Sequence, residues 1–130
     1  MAGTLLANIL SDGTNQSLLT NLIQGSVKAW CYFNGTTGII LSSYNISSIT
    51  KISTGVYQFV FINAMTDANY SSLFGCNGNG AAENVQLSNY SAGYASYPYV
   101  RTSTTFQVAC GALNSNAFVD TPSNSVVIVR

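Results

Sequence analysis

The chain has 130 residues, of which 47% are hydrophobic and only 6% are charged, whereas an average domain has about a quarter charged residues. It contains no histidine, which excludes every catalytic dyad or triad that depends on this residue and removes the commonest general base at neutral pH. Four basic and four acidic residues cancel, and this argues against nucleic acid or an anionic membrane surface as a partner.

The scarcity of charge favours a protein that works inside an assembly. The outer surface must consist largely of Ser, Thr, Asn, Gly and Tyr, and a protein without net charge tends to associate. We therefore expect a permanent quaternary partner; the alternative is a soluble monomer rich in Tyr and Ser. The length fits one domain, which we divide into an N-terminal arm at residues 1–25 and a β domain at residues 26–130.

The N-terminal arm contains two short apolar groups on either side of the turn signal Asp12-Gly13. The second group has a spacing that allows one or two helical turns, with Ser17 as N-cap, while two short strands around the turn compete closely. The arm either folds onto its own subunit or docks on a neighbour. Its large apolar residues are candidates for an assembly interface: Leu5, Leu6, Ile9, Leu10, Leu18, Leu19, Leu22 and Ile23.

The rest of the chain has the pattern of short β-strands. Apolar residues alternate from Val27 to Phe33, which predicts a half-buried strand whose second face, with Trp30 and Tyr32, also needs a cover. Residues 56–62 (VYQFVFI) predict a strand buried on both faces at the centre of the core. Further strands are predicted at residues 38–41, 44–50, 70–76, 85–90, 99–110 and 126–129. Eight or nine short strands predict an all-β fold, an antiparallel β-sandwich or jelly-roll-like domain.

The residues that could carry chemistry are few and scattered. The carboxylates lie far apart in the sequence, and turn capping explains the region of Asp67 better than a calcium site does. The cysteines match neither a zinc site nor a disulfide framework and are predicted to be buried free thiols. We therefore expect no enzymatic activity, no cofactor and no bound metal. The residues concerned are Asp12, Asp67, Glu83 and Asp120, with Cys31, Cys76 and Cys110.

A tyrosine-rich stretch at residues 90–99 contains Tyr94, Tyr97 and Tyr99. Tyrosine combines a large apolar ring with a polar tip, so the cluster suits either a sugar-stacking platform or an interface hot spot. Some of these rings could equally pack in the core. Because no carboxylate lies close in the sequence to bind sugar hydroxyls, core or subunit packing is favoured over a ligand platform.

Several segments between residues 28 and 70 resemble a family of small β domains in tailed-phage virion proteins. The matching runs occur in the family's order and near its spacing: residues 28–30 (KAW), 33–36 (FNGT), 44–50 (YNISSIT), 54–57 (TGVY) and 64–70 (AMTDANY). The resemblance implies a β-sandwich that associates around a threefold axis, as a homotrimer. In the fibre members of this family the domain is usually the distal end of a longer protein.

The functional expectation is a non-enzymatic virion structural protein, a trimeric capsid cement or decoration protein that contacts the phage major capsid protein or another virion protein. The short arm leaves little room for a fibre shaft. The alternative is the receptor-binding tip of a tail fibre, with the tyrosine cluster on a host surface glycan. We recognise no signal peptide and no apolar run long enough to span a bilayer, so we expect synthesis in the host bacterial cytoplasm and incorporation into the virion.

Overall fold

The computed structural model is almost entirely β. It describes residues 9–11, 13–14, 16–18, 23, 25–77, 85–88, 100–112 and 117–130. The strands in this part of the chain are β1 (Ile9–Ser11), β2 (Gln16–Leu18), β3 (Val27–Asn34), β4 (Ile39–Tyr44), β5 (Ile46–Ser53), β6 (Val56–Phe61), β7 (Ser71–Asn77), β8 (Val85–Ser88), β9 (Thr105–Ala112), β10 (Ala117–Phe118) and β11 (Ser123–Val129).

Two antiparallel sheets pack face to face. The first sheet has the strand order β4-β3-β11-β7, and the second has the order β10-β9-β6-β5, with β8 also paired to β9. Strands β1 and β2 form a separate two-stranded sheet. The prediction of an all-β sandwich is therefore confirmed.

In the first sheet, one side of β3 faces the core. Ala29, Cys31 and Phe33 are fully buried, as the alternating pattern predicts. On the neighbouring strand β11, Ile128 lies opposite Ala29, and Val126 lies opposite Cys31. Directly opposed residues of an antiparallel pair face the same side of the sheet, so these five residues form one continuous inner surface.

The second sheet contributes the predicted central strand, β6. Tyr57, Phe59 and Phe61 are buried against the core, which confirms its central place. The prediction that it is buried on both faces is wrong, because Gln58 and Val60 on the other side remain half-buried. In a sandwich of two layers an interior strand has the opposite sheet on one side only. The high aromatic content of β6 serves that single inner face.

An aromatic contact joins the two sheets. The Phe59 ring lies 5.2 Å from the Phe33 ring of the first sheet, centroid to centroid, and nearly perpendicular to it. On its own sheet Phe59 stacks on Phe106 at 4.7 Å. Such pairs add about 0.5–1.5 kcal/mol each beyond the burial of their area. The three rings therefore fix how the sheets face each other.

The predicted strand at residues 44–50 is in fact divided between two strands and two sheets. Tyr44 ends β4 in the first sheet, and Ile46 begins β5 in the second. Asn45 between them adopts a positive φ of 57°, a conformation that asparagine tolerates better than most residues. Its side-chain nitrogen, Nδ2, donates to the backbone oxygens of Lys28 and Asn63, and its Oδ1 accepts from Asn63 N at 2.7 Å. These bonds hold the chain at the corner.

The described residues of the arm contain both alternatives that the sequence left open, because Ile23 and Gly25 are helical while residues 9–11 and 16–18 are strands. β1 and β2 pair as strands, with Ile9 opposite Leu18 and Ser11 opposite Gln16, so the strand alternative applies to these residues. Gly13, in the turn between them, has a φ of 93°. Among the described strands, this hairpin is paired with neither sheet of the sandwich.

Gly55 lies in the tight turn between β5 and β6 at a φ of 68°. Its amide nitrogen donates to Asp120 Oδ1, and its oxygen accepts from Cys110 N at 2.7 Å. A Cβ atom at this position would stand 2.5 Å from Cys110 O and 2.8 Å from the backbone of Val119. Both the backbone conformation and the close approach of other strands therefore require glycine.

We predict that Gly55→Ala lowers the free energy of unfolding by about 3 kcal/mol or more, because a left-handed conformation costs about 1–2 kcal/mol and backbone atoms must also move. Gly38→Ala is the matched control. It has a φ of 70°, but its added Cβ would make only an ordinary 3.5 Å contact with Lys51, so we expect only the conformational cost. Urea denaturation measures both; equal losses would contradict the steric argument.

Candidate interaction surface

The outer side of the first sheet carries a row of large apolar residues. Register places Tyr44 of β4 opposite Trp30 of β3, Trp30 opposite Val127 of β11, and Val127 opposite Leu73 of β7. These four side chains therefore point to the same side, away from the core. Tyr44 is 57% exposed and Leu73 is 62% exposed. Trp30 and Val127, in the middle of the row, are half-buried.

A second row lies beside the first and completes what we call the outer apolar face. It consists of Ser42, Tyr32, Ser125 and Gly75, again in direct cross-strand register. Tyr32 is 41% exposed, and its hydroxyl lies 3.0 Å from Ser123 Oγ. None of the eight positions in the two rows is charged. The face thus offers aromatic and aliphatic surface with small, uncharged neighbours.

The outer side of the second sheet is different in character. There Ser48 lies opposite Val60, Thr50 opposite Gln58, and Gln58 opposite Gln107. Gln107 Nε2 donates to Gln58 Oε1 at 3.0 Å. Polar side chains of this kind can hydrogen-bond to water, so they are stable on an exposed face. Only the first sheet presents, among the described residues, a row of large apolar side chains across all of its strands.

The charged groups of the described residues lie outside the two rows of the outer apolar face. Arg130 Nη2 pairs with Asp67 Oδ2 at 2.6 Å, and Asp67 Oδ1 accepts from Asn69 N at 2.7 Å, which confirms the predicted turn cap. Arg101 lies over the Tyr70 ring, 4.8 Å from its centroid. Lys28, at the end of the face, donates to backbone and hydroxyl oxygens of nearby residues. The positive groups are thus engaged by their own chain.

A polar network closes one end of the sandwich around Asp120. Its Oδ2 lies 2.5 Å from Lys51 Nζ, and its Oδ1 accepts from Gly55 N at 2.8 Å. The Tyr57 hydroxyl lies 2.9 Å from both Asp120 Oδ1 and Gly35 O, and its one proton can serve either acceptor. Burial works against ionisation of Asp120, but the bonds from Lys51, Gly55 and Tyr57 outweigh it and lower the pKa of the carboxyl group.

The thiols of Cys31 and Cys110 are poor nucleophiles. Cys31, Cys76 and Cys110 are free, as predicted, although Cys76 is only half-buried. Burial raises the pKa of Cys31 to about 12 and that of Cys110 to about 12, so both remain protonated at neutral pH. Within the described ranges no three His, Cys, Asp or Glu side chains come together as a metal site would require. Cys31 and Cys110 are therefore packing groups of the core.

A cleft of about 300 Å³ adjoins the outer apolar face, with Tyr44, Asn45, Asn63 and Arg130 among its lining residues. Its polar groups are largely used within the chain. The Asn45 amide binds three backbone groups, and the Arg130 guanidinium pairs with a carboxylate. The cleft is therefore part of the structural corner between the two sheets.

The site residues predicted from the sequence coincide only in part with the outer apolar face. The alternation in β3 correctly placed Trp30 and Tyr32 on an outward face, whereas Tyr44, Leu73 and Val127 were missed. Their short strands carry no pattern that separates an exposed apolar residue from a core residue. The missing signal is strand register, which links residues distant in the sequence.

The predicted arm and tyrosine sites are described only in part. Ile9 is 50% exposed and Ile23 is 56% exposed, while Leu10 and Leu18 belong to the paired strands β1 and β2. The other predicted residues lie outside the described residues: Leu5, Leu6, Leu19 and Leu22 of the arm, and Tyr94, Tyr97 and Tyr99 of the tyrosine cluster.

No protein-family model, curated protein or solved structure in the comparisons matches the chain. In the part of the chain that the structure describes, no helix has the length and apolarity of a transmembrane span. The function must therefore be inferred from the surface itself.

We predict that Asp120→Asn lowers the free energy of unfolding by about 1–2 kcal/mol at neutral pH, since a charge-assisted network is lost. The lowered pKa of Asp120 means that its carboxylate stabilises the fold fully above the ordinary value of 3.8 and ceases to do so as the pH falls through the lowered value. The difference between wild type and variant should therefore shrink below pH 3.8.

The matched control is Asp67→Asn, because Asp67 is also ion-paired but its side chain is 40% exposed, against 21% for Asp120. We expect a smaller loss of stability for this variant. Urea denaturation at a series of pH values makes the comparison. A gap between wild type and Asp120→Asn that stays constant across the acid range would show that the carboxylate charge does not stabilise the fold.

Proposed function

We propose that the protein is a non-enzymatic structural protein of a tailed-phage virion, which forms a homotrimer and binds the capsid as a cement or decoration protein. The observation that carries the proposal is the outer apolar face, with the row formed by Tyr44, Trp30, Val127 and Leu73. Contiguous exposed apolar surface on one side of a domain is typical of a contact site. The phage assignment is supported by the sequence resemblance described above.

The composition of the face suits a protein interface. Aromatic residues are enriched in the centre of interfaces, and charged residues are depleted there. The face places Trp30 in the middle and Tyr44 and Tyr32 near it, without a charged position in its two rows. Tryptophan and tyrosine are also the residues whose truncation most often weakens binding.

The edge strand β4 supports assembly as well. It ends the first sheet, contains no charged residue, and exposes Ile39 and Leu41. Free proteins usually protect such an edge with lysine, proline or a covering segment, because an open strand is a template for aggregation. A permanent neighbour would remove this hazard. By contrast, β5, which is an edge strand of the second sheet, carries Lys51.

Leu73→Asp is the variant that tests the contact. Burying a leucine contributes about 1.5–3 kcal/mol, so we expect self-association to weaken by at least about tenfold. Leu73 is mostly exposed within the subunit, so the fold should survive. Ser48→Asp, at an exposed position on the polar side of the second sheet, adds the same charge elsewhere and should leave assembly unchanged. Light scattering on the purified proteins gives the masses.

Capsid binding is tested separately, with wild-type protein mixed with phage capsids stripped of accessory proteins. A trimer that rebinds these capsids is the expected result. A protein that stays monomeric at high concentration and ignores capsids would overturn the proposal. A trimer that ignores capsids but binds host cells would replace it with the receptor-binding alternative.

A further inference from the structure

Among the described strands, the β1–β2 hairpin forms a small sheet of its own. Ile9 is half exposed, and the hairpin shares no strand pairing with the sandwich among the described strands. An isolated two-stranded hairpin is at best marginally stable in water and needs a packing partner. The six residues of its strands, three in each, are uncharged. The hairpin is therefore suited to an apolar, uncharged surface.

The outer apolar face is such a surface. Strand spacing and rise give a face four strands wide and about seven residues long an area on the order of 400 Å². A stable interface normally buries about 800 Å² on each partner. Two copies that met only through this face would therefore bury about half of the usual area. A stable assembly needs a second contact surface on each copy.

We infer that the β1–β2 hairpin of one copy docks on the outer apolar face of a second copy. The inference rests on the proposed function, because it names the contact through which copies assemble. Hairpin and face are different surfaces, so the contact is heterologous and closes into a ring when each copy donates one hairpin and accepts another. In a trimeric ring every subunit buries both its hairpin and its outer apolar face.

The chain length permits this exchange. Eight residues, 19–26, connect the end of β2 to the start of β3; a segment of this length spans at most about 26 Å, and the helical turn at Ile23 and Gly25 must open for it to reach that length. The face is about 19 Å across its four strands. The hairpin is attached at Val27, the first residue of β3 in the sheet that bears the face. It can therefore reach a neighbouring copy that packs alongside.

Complementation between two full-length variants tests the inference. Ile9→Asp damages the hairpin and leaves the face intact, whereas Leu73→Asp damages the face and leaves the hairpin intact. Both positions are exposed within the subunit. We expect each variant alone to be monomeric in light scattering. In an equal mixture just one intact hairpin and one intact face remain, so at high concentration the mass should rise toward that of a pair with one subunit of each variant, with weaker association than wild type because each subunit makes only one of its two contacts.

Each other outcome points to a different contact. If Ile9→Asp alone assembles like wild type, the hairpin is dispensable, and the inference fails while the proposed function stands. If both variants are folded monomers that do not combine, the hairpin and the face do not contact each other between copies, and the inference again fails. If wild type itself stays monomeric, the proposed function fails first. Thermal unfolding of each variant confirms that it is folded.

Cross-linking gives an independent measurement that adds no charge. In a Cys76→Ser background, one population carries Ile9→Cys and the other carries Leu73→Cys, and the two are mixed and oxidised with oxidised glutathione. A disulfide that links the two populations is expected, and it should be at least tenfold less abundant when Ser48→Cys replaces Leu73→Cys. Equal yields from both mixtures would overturn the inference.

Discussion

The contact between Phe33, Phe59 and Phe106 is the interaction on which the rest of the molecule depends. It joins the two sheets through a perpendicular pair across the core and a stacked pair within the second sheet. Because the inner sides of both sheets are committed to this core, every alternate residue of the same strands must point outward. The character of the outer faces is thus set by what lies between the core residues in the sequence.

The two outer faces differ in polarity. On the second sheet the outward positions include Thr50, Gln58 and Gln107. Their polar groups can hydrogen-bond to water, and Gln107 also bonds to Gln58. On the first sheet Trp30 and its neighbours in register leave apolar surface exposed. Because the chain has so few charged residues, it cannot surround this surface with the ions that usually keep free proteins apart. This asymmetry between the two faces is the basis of the proposal that copies of the chain assemble.

Two polar clusters in the described part of the chain stabilise the fold. Asp120 ties the β5–β6 turn and Lys51 together at one end of the sandwich, and Asn45 ties the corner between the sheets through three bonds to backbone groups. The buried thiols of Cys31 and Cys110 stay protonated. These polar residues are engaged in completing the fold.

The sequence by itself determined the β class, the inward and outward sides of β3, and the central place of β6, because these depend on the period-two alternation and composition of single strands. Only the tertiary structure decided that Asn45 divides one predicted strand between two sheets and that Lys51 meets Asp120, which follows it 69 residues later. It also decided that Tyr44, Val127 and Leu73 line up with Trp30. Strand register pairs residues far apart in the chain, and a local pattern carries no information about that pairing.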